Sequence, residues 1–216
     1  YRPAGAAGAL PTIVWVHGGA LLAGSRKDLG NYARIVAARG FVVASVGYSV
    51  APEARFPTPV RQVNRALRYL REHAAALGID AERFVLAGDS AGAQIAAQVA
   101  LLQVEPPFAA RLGLEPALAP RQLRCLVLHC GPYDLHRVDF RGPAGAFMRT
   151  VVWAYAGERD PAPRRRSELS VTEHVTERFP PTFVSVGNRD PLAAQSHGLA
   201  ARLAAVGVAH ETLFFA

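Results

Sequence analysis

Residues 88–92 read Gly-Asp-Ser-Ala-Gly, directly after the strand-like run Arg83–Ala87 and ahead of a long alanine-rich helical stretch. Gly-x-Ser-x-Gly between a strand and a helix is the setting in which a sharp, strained turn lifts a serine hydroxyl clear of a sheet. Side chains two residues either side of the serine would collide with neighbouring backbone, so both positions require glycine, and Gly88 and Gly92 supply it. Ser90 is therefore the candidate nucleophile. Short Gly/Ser patterns also arise as ordinary turns; the strand before and the helix after set this one apart.

A second cluster supplies what such a nucleophile needs. Thr12-Ile13-Val14-Trp15-Val16 reads as a buried strand and runs into His17-Gly18-Gly19-Ala20. When a nucleophile adds to a carbonyl, the oxygen becomes negative, and backbone N–H groups aimed at it stabilise the transition state. Two glycines at a strand end let the main chain approach a substrate closely. His17, far upstream of Ser90, is read as a hydrogen-bonding brace for this loop rather than a base. His-Gly-Gly alone is a weak signal; a serine elbow about seventy residues downstream makes it a strong one.

His17-Gly18-Gly19-Ala20, Tyr48-Ser49-Val50-Ala51-Pro52-Glu53, Gly88-Asp89-Ser90-Ala91-Gly92 and Asp190-Pro191-Leu192 together resemble the α/β-hydrolases, and among them the hormone-sensitive-lipase-like esterases. The resemblance spans nearly the whole chain. It implies a serine carboxylesterase working through an acyl-enzyme, with no cofactor and a small uncharged ester of short or medium acyl chain as substrate. It also implies an oxyanion hole from N–H groups of the Gly18, Gly19 and Ala20 stretch and of Ala91, leaving open which of the first three point inward. The chain departs from the family at Ala20, where a third glycine is usual, and at Ser49-Val50, where an arginine-leucine pair is usual. Ala20 keeps its N–H, and its methyl is expected to narrow the acyl site.

The serine needs a base, and the base needs an acid to orient it. In this fold the order along the chain is serine, acid, histidine. Asp190 follows the strand-like run Thr182–Val186 through Gly187-Asn188-Arg189, 100 residues after Ser90, as in the family. A helix-capping role for Asp190, with Pro191 in the first turn, is compatible with the catalytic one. Of seven histidines, only His197 and His210 follow it. His197 falls on an expected helix and His210 at the start of the last strand, whereas the family's histidine comes after that strand. The base is thus expected beyond Ala216, in a chain trimmed at both ends, with His210 as a weak alternative. A non-catalytic ligand-binding homologue, and less favourably an amidase or peptidase, are the competing readings. Binding alone demands no strained serine, and peptidases of this fold carry a large extra domain.

The elements that must position these groups alternate. Strands are expected at Thr12–Val16, Phe41–Val46, Arg83–Ala87, Leu123–His129, Thr182–Val186 and Glu211–Phe215, and helices at Asn31–Arg39, Val60–Leu77, Ala91–Val104 and Ser196–Val206. Such alternation predicts an α/β fold, a mostly parallel sheet covered by helices on both faces. Residues 132–179 break the rhythm and read as a helical cap insertion over the strand ends, where open α/β sheets bind ligands. Its Phe140, Phe147, Met148, Trp153 and Tyr155 suit either an acyl pocket or a small satellite core.

With 216 residues, 50% hydrophobic and 19% charged, the chain is expected to form one domain over 1–216 with a large core. A net charge of +7 would suit nucleic-acid binding were the arginines clustered, but they are scattered. The exception, Arg164-Arg165-Arg166, reads as a solvated loop between prolines. No apolar run approaches the ~20 residues of a membrane span. Cys125 and Cys130, five apart on one strand, point to opposite faces and cannot pair. Together with His129 they lack a zinc spacing, so no metal is expected. Free thiols are compatible with the cytoplasm, and a homodimer is left open.

Overall fold

The computed structural model describes residues 1–215. Six strands, β1 (Leu10–Val16), β2 (Val42–Val46), β3 (Ile79–Asp89), β4 (Leu123–His129), β5 (Thr182–Val186) and β6 (His210–Phe214), form one sheet in the order β2-β1-β3-β4-β5-β6. Every neighbouring pair is parallel. Strand order reverses between β1 and β3, so the crevice at that switch point lies between their carboxyl ends. The His17–Ala20 stretch follows β1 and Ser90 follows β3, which puts both chemical motifs at the one place where such a sheet opens.

Eight helices accompany the strands: α1 (Gly30–Ala37), α2 (Thr58–Glu72), α3 (Ala74–Leu77), α4 (Ala91–Val104), α5 (Pro106–Leu112), α6 (Gly142–Ala156), α7 (Pro163–Leu169) and α8 (Ala193–Ala205), counted among the described residues. Every residue of α4 is buried. Its small alanines let it lie close against the sheet, and its buried glutamines are paired, Gln94 and Gln98 donating to the Leu169 carbonyl and Gln103 accepting the Ala117 and Leu118 N–H groups. The two faces are covered unequally. Residues of α2, α4, α6 and α8 share one large core with Val14, Leu86, Leu126, Leu128 and Val184 of the sheet. On the opposite face α1 makes a small separate cluster, Ala33 and Ala37 with Val43.

Several boundaries differ from expectation. The helix expected over Val60–Leu77 is broken at His73, whose φ of −105° and ψ of 18° leave the helical range. α5 is additional; Pro106-Pro107 opens it and Gly113, at φ 60°, ends it in a left-handed cap. The Arg164–Arg166 triplet is not a loop but the first turns of α7. Arg165 pairs with Glu168 at 2.9 Å and Arg166 with Asp160 at 2.5 Å, so local ion pairs hold the turn. The insertion at 132–179 contains α6 and α7. Tyr155 and Phe140 join the core, whereas Phe147 and Trp153 remain exposed.

Candidate active site

Ser90 has φ 51° and ψ −121°, a conformation side-chain-bearing residues avoid, directly between the end of β3 and the start of α4. Its N–H is held by the His129 carbonyl at 2.8 Å. The flanking glycines are required sterically. A Cβ on Gly88 would lie 2.6 Å from the Gly92 carbonyl carbon, and one on Gly92 would lie 2.1 Å from the Val16 carbonyl oxygen. The first N–H groups of a helix have no intrahelical acceptor, so the Ala91 N–H, at the first position of α4, is free to meet a ligand at Ser90.

The loop after β1 is equally strained. Gly19, Ala20 and Leu21 have φ of 117°, 53° and 64° in succession. Asp89 ties this loop to the elbow: its Oδ2 accepts the Gly18 N–H at 3.2 Å and its Oδ1 accepts Trp15 Nε1–H at 3.0 Å. The Gly18 N–H is therefore spent, and Gly18 leaves the trio expected to face a substrate oxygen. The Gly18 carbonyl lies 2.8 Å from His17 Nδ1, so His17 braces the loop as its position suggests. The Gly19 carbonyl accepts from Leu22 and Ala23 at 3.0 and 2.9 Å. In a trans peptide the N–H points opposite to the C=O. The N–H groups of Gly19 and Ala20 thus point away from those internal partners, and among the described residues they meet no protein acceptor.

Asp190 lies in the loop beyond β5. Its Oδ1 accepts the Leu192 N–H at 2.8 Å, a local turn that leads into α8. Pro191 and Leu192 line the same hollow as Ser90. Cys130 sits between the two loops, with φ 44° and its N–H on the Ser185 carbonyl at 2.8 Å. Burial, and after it the Asp190 and Asp89 carboxylates, push its thiol above the usual range. Cys125 is likewise raised by burial, and neither cysteine is bonded to the other.

His210 does not reach this edge. It pairs with Thr182 at the amino end of the sheet, three residues, about 10 Å, short of the level of Asp89 and three strands away. Its Nδ1 lies 2.9 Å from the Val208 carbonyl. His197 is exposed on α8 and packs on Phe214. The base expected beyond Ala216 lies outside the described residues. His129 accepts the Ser90 N–H through its backbone carbonyl, but its Nδ1 is 2.5 Å from Ser185 Oγ and its ring stacks on Trp15. Burial pulls its pKa below the ordinary imidazole value, partly offset by Asp89.

A hollow of about 430 Å³ opens over Ser90, walled by Ala20, Leu21, Pro132, Met148, Val151 and Leu192 among others. Met148 and Val151 come from α6, so the insertion forms one wall of the hollow. The wall is chiefly apolar, with Arg137, Asp139 and Arg141 also contributing. A second hollow, of about 610 Å³ between Trp15, Tyr32 and His129, lies on the other side of the Gly18–Gly19 loop and does not include Ser90. Among the described residues no cluster of His, Cys, Asp or Glu is suited to a metal, and no helix is long and apolar enough to cross a membrane.

A family model described as the alpha/beta hydrolase fold matches residues 13–216. The chain belongs to that family. This α/β-hydrolase is 32% identical over 204 residues to esterase LipC of Mycobacterium tuberculosis, covering 91% of the chain and 49% of that relative. A bacterial heroin esterase structure superposes with a TM-score of 0.81 at 29% identity, over 99% of this chain and 68% of that one. Esterase B of Lactobacillus rhamnosis superposes with a TM-score of 0.84 at 22% identity, over 95% and 65% of the two chains, a likeness of fold. The chain spans roughly half to three fifths of the length of the curated relatives it matches. The resemblance to hormone-sensitive-lipase-like esterases holds at this level.

Two side chains hydrogen-bonded to the loop after β1, Asp89 and Tyr48, are not singled out by the sequence. Asp89 stood between glycine and serine without an assigned task, although a carboxylate ending an apolar strand was a signal. Tyr48 belonged to a recognised segment but had no chemistry attached to it.

Proposed function

We propose that this protein is a carboxylic-ester hydrolase in which Ser90 is the nucleophile. The observation that supports the reading is the strained Ser90 conformation at the head of α4, in one hollow with Ala20 and Ala91, together with Gly19, Ala20 and Ala91 N–H groups that meet no protein acceptor among the described residues. Ser90 Oγ adds to the ester carbonyl as its proton passes to a histidine outside the described residues, oriented by Asp190. The carbonyl oxygen, now negative, is held by the three N–H groups. Collapse of the adduct expels the alcohol, which takes the proton from the imidazolium. Water, deprotonated by the same histidine, then releases the acid.

The apolar hollow under α6 suits the acyl chain of a small uncharged ester, and its limited volume favours short to medium chains. In this reading the partner is a small-molecule ester rather than a nucleic acid. The protein acts without a cofactor, in the cytoplasm, where two unpaired thiols are at home; the reading leaves room for a homodimer. Relatives named esterases favour hydrolysis over a purely ligand-binding role.

The test is hydrolysis of a p-nitrophenyl ester series. The expected result is a kcat/KM that falls at least about tenfold between butyrate and dodecanoate, and a Ser90→Ala variant at least about a thousandfold slower. Equal rates for Ser90→Ala and the parent would refute the assignment, and a clear preference for the longest chain would refute the acyl pocket.

A further inference from the structure

The His17–Gly18 peptide group is held at both of its polar ends. Its N–H donates to Asp89, at 3.2 Å, and its carbonyl accepts the Tyr48 hydroxyl at 2.9 Å. The Tyr48 ring also lies flat on the His17 imidazole, with ring centroids 4.3 Å apart and planes 11° from parallel. Through His17 Nδ1 the hold extends to the next peptide, whose oxygen is Gly18 O and whose N–H is that of Gly19. A peptide is planar, so fixing one end aims the other. Rotation of the His17–Gly18 unit would carry the Gly19 and Ala20 N–H groups with it.

Tyr48 is itself placed by several bonds that reach outside the loop. Next to it, Ser49 exchanges two hydrogen bonds with Gln62 of α2, its N–H on Gln62 Oε1 at 2.8 Å and its Oγ accepting Gln62 Nε2 at 2.9 Å. Further on, Ala51 N–H donates to the Leu21 carbonyl at 2.8 Å, at the far end of the strained loop. Phe56 N–H donates to the Tyr155 carbonyl at the end of α6, at 3.0 Å. The segment 48–56 is thus a strut with one foot on α2, one on α6 and two contacts on the loop between β1 and α1. Burial and the nearby Asp89 raise the Tyr48 pKa, so the hydroxyl keeps its proton and remains a donor.

We propose that Tyr48 is a positioning residue for the oxyanion hole: its hydroxyl and ring hold the His17–Gly18 peptide so that the Gly19 and Ala20 N–H groups face the Ser90 hollow. The inference rests on the proposed esterase reading and assigns a task to a segment that the chemistry of Ser90 leaves unused.

Tyr48→Phe keeps the ring stack and removes only the hydroxyl. The expected result is a kcat about tenfold lower, with KM for p-nitrophenyl butyrate within about twofold and a melting temperature nearly unchanged. Affinity for a trifluoromethyl ketone, whose adduct places an oxyanion in the hole, should weaken by about the same tenfold factor. Parental kcat and parental ketone affinity would overturn the proposal. So would a loss of kcat, KM and melting temperature together, which marks a purely structural residue. Hydrogen exchange of the Gly18 amide gives a readout independent of turnover, and it should accelerate about tenfold in Tyr48→Phe. If the parent hydrolyses no ester, the esterase reading fails, and unchanged Gly18 exchange would overturn the positioning role in the same samples.

Discussion

Asp89 links the two halves of the site through a single carboxylate. One oxygen faces Trp15 Nε1–H and the other the Gly18 N–H, both donors. Asparagine at this position would keep one acceptor and turn an NH2 against the other donor, leaving a semi-buried polar group opposed. Asp89→Asn is therefore expected to lower kcat by about 10–100-fold, about 1.4–2.7 kcal/mol of transition-state stabilisation, with little change in KM, read by steady-state kinetics. A variant with the parental kcat would show that the loop holds without it. At this scale the sequence exposed the elbow at Ser90 and its two glycines, because steric need marks those residues locally. It did not expose the loss of Gly18 to Asp89, nor Tyr48 on His17. Those contacts depend on the β1–β3 register, which sets Val16 beside Gly88, and on a loop that returns from β2.

His129 ends β4 between Trp15, Phe183 and Ser185, and its behaviour belongs to the strand ends as a group. Burial lowers its pKa, with Asp89 opposing in part, so protonation favours the unfolded chain. The stability it contributes is complete above the ordinary imidazole value of about 6.5 and is lost as pH falls from there towards the lower folded value. The melting temperature is expected to be level from about pH 8 to 7 and to drop as pH falls below about 6.5. His129→Phe, which retains the aromatic stack, should flatten that segment of the profile. An identical drop in the variant would assign it to other groups. Strand periodicity and strand order of appearance were legible, since β-branched and leucine-rich runs bounded by turns are local signals. The break at His73 was not, because the apolar spacing continues through it. α7 was missed because three arginines resemble a solvated loop until Glu158, Asp160 and Glu168 are folded beside them.

At the scale of the molecule, an all-parallel sheet gathers the ends of β1, β3 and β5 on one edge, and α6 of the insertion walls the hollow formed there. The sheet's strand order is invisible in the sequence, yet the reversal between β1 and β3 brings two motifs about seventy residues apart to one crevice. His210 illustrates the converse: it has the right residue type and chain order, but a parallel β6 puts it at the opposite edge. The esterase reading requires Ser90 to be activated in the protein as it exists. The most direct measurement is the intact mass of the purified full chain before and after treatment with a small organophosphate ester. A single phosphoryl adduct, mapped to Ser90 and absent in Ser90→Ala, is the result predicted. An unchanged mass, or an adduct that persists in Ser90→Ala, would contradict the assignment of Ser90 as nucleophile.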